Sequence, residues 1–115
     1  MSQVVESSKV LTFSDAHRGY LEVPQEWLSI LGCYNKSKMQ LHVIDGVGFF
    51  WEFECFACLN ETAFLQGDGW KQFTAYKNLQ SGDRVVLDTV ANEFRGSKFR
   101  IRAQKKNQNG VWVDV

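Results

Sequence analysis

The sequence predicts a mainly β fold, a seven-stranded open β-barrel (pseudobarrel) with two short flanking helices. Short runs of alternating apolar and polar residues recur along the chain, and turn-forming residues separate them. Aromatic residues make up 14% of the 115 residues, and such side chains suit half-buried pleated strands. Twisted antiparallel strands in a chain of this length are expected to curl and cover their edges. We expect a flexible leader over residues 1–8 and a single domain over residues 9–115.

The first third of the chain is expected to contribute one strand and one helix. Residues 9–20 mix Ser, Thr, Asp and Gly, which favours a loop. Residues 21–23 predict a short strand that Pro24 ends, because proline cannot donate to a ladder. Proline also suits the first turn of a helix, so a helix is expected over residues 24–31.

A β-hairpin is predicted over residues 39–56. Apolar and polar residues alternate on both sides of a turn at residues 45–48, and this two-residue period marks half-buried strands. One face of the second strand carries four apolar residues, Phe49, Trp51, Phe53 and Cys55. Residues 57–67 are expected to form a loop that contains a short strand near residues 62–65.

The clearest local pattern in the chain predicts a helix followed by a strand. The helix is expected over residues 68–78, with Asp68 as its N-cap. Trp70 and Phe73 are three residues apart and therefore share one buried stripe. A Ser-Gly-Asp turn follows, and the β-branched residues after it predict a strand over residues 84–90.

The last part of the chain predicts a second hairpin. A loop over residues 91–96 precedes a strand over residues 97–103. Its alternation places Phe99, Ile101 and Ala103 in the core and Lys98, Arg100 and Arg102 on the solvated face. Asn109-Gly110 is the strongest hairpin signal in the sequence, and residues 111–113 are expected to return as the final strand.

Five short motifs follow one another in order over residues 9–103. They read K-x-L-T-x-S-D, V-P at the end of a strand, W-x-F, G-W-x-x-F and L-x-x-G-D. The residues that carry them are Lys9 to Asp15, Val23-Pro24, Trp51 with Phe53, Gly69-Trp70 with Phe73, and Leu79 with Gly82-Asp83. In this order the motifs resemble the plant-specific B3 DNA-binding domain, in a divergent member of the reproductive-meristem or auxin-response-factor type.

The resemblance implies an open barrel whose two arms grip the major groove of DNA, in sequence-specific or shape-reading binding. The first arm would comprise a stem and a tip, with Thr12, Ser14, His17, Arg18, Gly19 and Tyr20. The second arm would lie within residues 58–66 and present Asn60 and Thr62. Arginine can bind guanine through two hydrogen bonds, asparagine can pair with adenine, and hydroxyl groups can bind phosphate. We expect Lys9, Lys71 and Arg102 near phosphates.

The resemblance also implies partners and a location. Double-stranded DNA is the expected partner, together with other transcription regulators, as part of a plant transcription regulator in the nucleus. No cofactor, metal, membrane or small-molecule substrate is expected, and the sequence has no apolar run near the roughly 20 residues that span a bilayer. No nucleophile accompanies His17 and Asp15, so we do not expect an enzyme.

The charge pattern leaves a second function open. The chain has 13 basic and 13 acidic residues, but residues 95–115 hold six basic residues and one acidic residue. Such a basic segment favours binding to a polyanion. The second arm differs, because no arginine lies between residues 52 and 68, whereas Glu52, Glu54, Glu61 and Asp68 do lie there or at its ends. The alternative is therefore a protein–protein interaction module on the same scaffold, with weak or no DNA binding.

Two further hypotheses have weaker support in the sequence. Cys55-x-x-Cys58 has the spacing of a metal or redox site, but it lacks a second pair of ligands. Positions three apart on a strand also point to opposite faces, so we interpret both as core or loop thiols. A barrel that holds a small ligand would need an interior cavity, which the many aromatic residues are expected to fill.

Overall fold

One curled β-sheet forms the body of the protein, and short helices pack against it. The structure is a computed structural model that describes residues 5–31, 38–57, 62–89 and 99–115. In chain order its elements are β1 (Glu6–Val10), α1 (Phe13–His17), β2 (Tyr20–Glu22), α2 (Gln25–Leu31), β3 (Lys38–Asp45), β4 (Phe50–Ala57), β5 (Ala63–Gln66), α3 (Asp68–Tyr76), β6 (Arg84–Asp88), β7 (Phe99–Lys106) and β8 (Trp112–Asp114).

The sheet has the predicted seven-stranded, open-barrel path. Its strands follow the order β1-β6-β7-β3-β4-β5-β2, and β8 pairs with β7 beside this path. The two end strands approach each other across the opening, where Lys9 Nζ of β1 donates to the carbonyl oxygen of Glu22 in β2. Purely antiparallel pairing was expected, but β3 and β7 are parallel. Four intervening elements supply the long connection that a parallel pair requires.

Large aromatic side chains fill the space between the sheet and the helices. Trp27, Phe53, Trp70 and Phe73 are all fully buried. Phe53 meets the ring of Trp70 edge-on with 5.6 Å between centroids, an arrangement that aromatic pairs favour. The predicted buried stripe of Trp70 and Phe73 is confirmed. These rings occupy the interior in which the small-ligand hypothesis requires a cavity.

The start of α3 shows why the G-W-x-x-F motif begins with glycine. A Cβ atom at Gly69 would overlap the backbone carbonyl of Glu52 in β4, so only glycine lets the helix lie this close to the sheet. Asp68 was predicted to be the N-cap, but the N-cap is Gly67, which has a φ of 90°. Asp68 instead lies in the first turn, where its negative charge interacts favourably with the positive end of the helix dipole.

The N-terminal predictions need two corrections. Residues 6–8 were assigned to a flexible leader, but they belong to β1, which pairs with β6 in a register that joins Glu6 to Asp88. The loop expected over residues 9–20 contains the helix α1, so the described residues hold three helices rather than two. A strand paired across more than 70 positions leaves little local signal, because its partner decides its conformation.

The other elements lie close to their predicted positions. Both predicted hairpins, β3–β4 and β7–β8, are confirmed. The helix expected over residues 24–31 is confirmed as α2. The strand expected over residues 84–90 ends at Asp88. The strand expected over residues 97–103 begins at Phe99 and continues to Lys106. The loop expected over residues 91–96 lies outside the described residues.

No described helix has both the length and the apolar character needed to cross a membrane.

Candidate nucleic-acid interface

Asp15 holds the first arm in place. Its carboxylate is buried and accepts hydrogen bonds from the backbone amides of Thr12, at 2.9 Å, and Glu22, at 3.1 Å. Lys9 Nζ lies 3.1 Å from the same carboxylate. The carbonyl oxygen of Asp15 accepts from Trp70 Nε1 at 3.0 Å. One residue therefore ties together β1, α1, β2 and α3, which explains the K-x-L-T-x-S-D motif in physical terms.

The helix α1 begins at a capping box. The hydroxyl of Thr12 accepts from the backbone amide of Asp15 at 3.2 Å, and the Asp15 side chain bonds back to the amide of Thr12. Reciprocal bonds of this type satisfy amides that a helix start leaves unpaired. The helix ends at Arg18, whose amide donates to the carbonyl oxygen of Ser14 at 3.0 Å. The arm is consequently an ordered helical turn.

The tip of the first arm presents cationic and aromatic groups to solvent. His17 and Arg18 are exposed. The ring of Phe13, also exposed, lies 4.8 Å from the His17 ring and 5.9 Å from Arg18 Cζ, which orients both side chains. Gly19 has a φ of +82°, a backbone conformation that favours glycine. The chain then enters β2 at Tyr20.

Lys71 of α3 lies directly against the arm tip. A Cβ atom placed on Gly19 would be 2.5 Å from Lys71 Cε, so glycine makes room for this side chain. A groove of about 450 Å³ runs between the arm tip and α3. Its described lining residues are Ala16, His17, Arg18, Gly19, Lys71, Thr74, Ala75, Asn78, Leu79 and Gln80. The charged side chains among them are Arg18 and Lys71, and no acid accompanies them.

The second arm can be described only at its base. Asn60 and the rest of residues 58–61 lie outside the described residues, and so does Cys58. Thr62 is half-buried and lines a second groove, of about 650 Å³, together with Pro24, which lies two residues beyond β2. Within the strand pair, Tyr20 lies opposite Gln66.

The length of β2 therefore separates Arg18 from Thr62. Arg18 precedes this strand, whereas Thr62 lies beyond its other end. The four residue-to-residue steps from Gly19 to Val23 span about 13 Å in an extended chain. That separation is close to the roughly 12 Å width of the major groove of B-DNA.

The acidic groups near the second arm have partners on neighbouring strands. Glu54 accepts from Gln66 Nε2 at 2.9 Å and lies 3.4 Å from Lys38 Nζ. The hydrogen bond from Gln66 lowers the pKa of Glu54, and the nearby ammonium group of Lys38 acts in the same direction. Glu52 faces His42 at 3.8 Å. The Lys38 contact offsets part of the negative charge that the sequence places here.

Two of the predicted phosphate neighbours are held by acids. Lys9 is engaged by Asp15, with 17% of its side chain exposed. Arg102 is 18% exposed and is surrounded by carboxylates, with Nη2 2.7 Å from Glu6 and Nε 3.4 Å from Asp88. Arg100 also pairs with Asp88, at 3.1 Å. In the described part of the basic C-terminal stretch, Arg100 and Arg102 are thus paired with acids inside the fold.

The structure describes all six of the predicted first-arm residues in one segment. They are Thr12, Ser14, His17, Arg18, Gly19 and Tyr20, with Lys71 beside them. Sequence reasoning missed the roles of Phe13 and Asp15. Phe13 is an exposed aromatic residue, and its position four residues before His17 is the signal that a helix would place the two rings together.

Solved structures of other proteins share this architecture. The hypothetical Arabidopsis thaliana protein At1g16640.1 matches with a TM-score of 0.63 and 19% identity, over 88% of this chain and 90% of that one. The Arabidopsis FUS3–DNA complex matches with a TM-score of 0.68 and 20% identity, over 86% of this chain and 95% of that one. The chain has a B3 fold.

The B3 fold predicted from the ordered motifs is therefore confirmed at the level of architecture. No family model and no curated protein sequence matches the chain. Residues of the motifs that carried the resemblance make contacts that hold this fold together. Asp15 anchors the first arm, Trp51 and Phe53 pack on α3, and Gly69 permits the close approach of α3 to β4.

Proposed function

We propose that this chain is a B3-type DNA-binding domain of a nuclear plant transcription regulator, and that it docks in the major groove of double-stranded DNA. The observation that carries the proposal is the groove between the arm tip and α3. There Arg18 and Lys71 project beside Gly19, without an acid among the described lining residues. The similarity to the Arabidopsis FUS3–DNA complex supports DNA as the partner.

The two cations would have different roles. Arg18 lies at the arm tip, where a guanidinium group can bind the O6 and N7 atoms of guanine. Lys71 is a point charge on a rigid helix, which suits a phosphate oxygen. Phe13 orients Arg18 before binding, so less side-chain entropy is lost when the contact forms. The hydroxyl groups of Ser14 and Thr12 bind the phosphate backbone of the DNA, and Tyr20 extends the contact surface toward Thr62.

A duplex titration at two salt concentrations tests this proposal. Fluorescence anisotropy would follow binding to a pool of random-sequence duplexes and to single sequences selected from that pool. Lys71→Ala should weaken binding to all sequences and reduce the salt slope by about one unit, since one phosphate contact is lost. Arg18→Ala should cost about 1–3 kcal/mol on the selected sequences and less on the pool.

Lys106→Ala is the matched control for these variants. Lys106 is an exposed lysine on β7, and it does not line the groove. Its removal changes the net charge by the same amount as Lys71→Ala but should leave the salt slope nearly unchanged. Equal effects of the two lysine variants would show that binding is diffuse attraction and would refute the assignment of the groove.

An exposed aromatic cluster favours the alternative function, a protein–protein interaction module. Phe49 and Tyr76 are both more than half exposed, and their rings lie 5.7 Å apart. Clustered apolar groups on a surface often mark a protein interface. This cluster lies at the start of β4, whereas the second arm follows its end. If no duplex binds in the titration above, this alternative replaces DNA binding.

A further inference from the structure

The outer edge of β8 carries backbone groups that point away from the sheet. On its inner side, the amide of Asn107 donates to the carbonyl oxygen of Val111, and the amide of Val115 donates to that of Ala103, both at 2.9 Å. Bonded positions alternate along an antiparallel strand. The amide and carbonyl groups of Trp112 and Asp114 therefore face outward, and no described residue is bonded to them.

The same strand exposes a stripe of valines. Val111, Val113 and Val115 alternate along it and are 55%, 45% and 43% exposed. Sheet edges in native proteins are usually protected by charged side chains, proline or a covering element. At the β2 edge of this sheet, Asp15 and Lys9 cover the amide and the carbonyl of Glu22. Near β8, Lys77 Nζ donates to the carbonyl oxygen of Val115 at 2.9 Å, but no described residue covers the outward backbone groups of Trp112 and Asp114.

We propose that β8 is a self-association edge, at which a second copy of this chain pairs antiparallel to the first about a two-fold axis at Val113. In this register Trp112 of each copy is opposite Asp114 of the other, and the outward backbone groups form four hydrogen bonds. Val113 faces its own counterpart as a non-hydrogen-bonded pair, and Val111 meets Val115. All three valines thereby gain an apolar neighbour.

Charge complementarity supports a second copy as the occupant. Trp112 lies between two cations, with Arg84 Cζ 4.5 Å and Lys106 Nζ 5.0 Å from its ring centroid. The opposing strand brings Asp114 to this basic site; its side chain accepts from Gln104 Nε2 at 2.7 Å and lies 3.7 Å from Arg102 Nη1 in its own chain, but it remains 56% exposed. The sequence from Val111 to Val115 is nearly symmetric about Val113, so one edge satisfies both roles. A net charge of zero also imposes no long-range repulsion between copies.

Cysteine scanning of β8 tests the register directly. Residues in a non-hydrogen-bonded antiparallel pair have Cα atoms about 4.5 Å apart, within the range of a disulfide. Val113→Cys should therefore form a covalent dimer under mild oxidation. Val111→Cys is the matched control, because its counterpart would lie about 13 Å away, four residues along the strand. The native chain, with its three cysteines, shows the background.

Sedimentation equilibrium over a range of concentrations provides the second measurement. Val113→Lys places two like charges face to face and should weaken self-association about tenfold or more. Val10→Lys, at an exposed valine of β1, should leave self-association unchanged. Equal cross-linking of both cysteine variants, a monomer at every concentration, or a dimer insensitive to Val113→Lys would each overturn the proposal. If β8 pairs with an added peptide but the chain does not self-associate, the edge is a binding site for another protein.

Discussion

The variant Asp15→Asn tests whether one buried carboxylate holds the first arm. An asparagine keeps the shape of the side chain but has a single acceptor oxygen. The two carboxylate oxygens now accept from the amides of Thr12 and Glu22 and from Lys9 Nζ. After the change, one of these amides faces an NH2 group, and Lys9 loses its counter-ion.

The expected loss of stability follows from these contacts. Removing one partner of a buried ion pair costs about 3–5 kcal/mol, and an unsatisfied buried amide costs about 1–3 kcal/mol. Because part of the Lys9 side chain remains exposed to water, the combined loss of stability lies toward the lower end of these ranges. We expect the free energy of unfolding to fall by about 3 kcal/mol.

Urea unfolding followed by tryptophan fluorescence measures this loss. Glu26→Gln, at an exposed position of α2, is the control for a lost surface carboxylate and should change stability by less than about 0.5 kcal/mol. The double variant with Lys9→Met should be less destabilised than the sum of the single variants, because the unpaired ammonium group is gone. A loss below about 1 kcal/mol for Asp15→Asn would refute the anchoring role.

Three further predictions follow from individual contacts. Gly69→Ala should destabilise the fold by about 3 kcal/mol or more in urea unfolding, since the new Cβ overlaps the Glu52 carbonyl; a neutral effect would contradict the close packing. Gly19→Ala should weaken duplex binding more than it lowers stability, because the methyl group displaces Lys71 and strains a positive φ. Glu54 has a lowered pKa in the folded state, so its contribution to stability is present above its unfolded pKa and is lost as pH falls through its folded pKa. Glu54→Gln should remove this part of the pH dependence of the unfolding free energy. An unchanged pH dependence would contradict this prediction.

The elements that the sequence predicted correctly are those whose hydrophobic periodicity is visible within a few neighbouring residues. The alternation through Trp51 and Phe53 and the spacing of Trp70 and Phe73 gave the β3–β4 hairpin and the buried face of α3. The capping of α1 was missed because a five-residue helix in a segment rich in polar residues has almost no periodicity. The T-x-x-D spacing from Thr12 to Asp15 was the signal that could have indicated it.

Long-range pairing could not be predicted from local pattern. Nothing in the residues around Glu6 indicates that Asp88 would lie opposite it, and so the leader was assigned too many residues. Arg102 looked like a free cation in an alternating strand. Its neutralisation depends on Glu6, Asp88 and Asp114, which the fold brings together from three different strands.

The most direct test of the central claim is the map of backbone amide chemical shifts on titration with a DNA duplex. Binding in the groove between α1 and α3 predicts that the largest shifts occur at His17, Arg18, Gly19 and Lys71. Their magnitude should decrease as salt is raised, because counterions compete for the phosphates. Shifts confined to β7 and β8, or no shifts in the first arm at saturating duplex, would contradict the account.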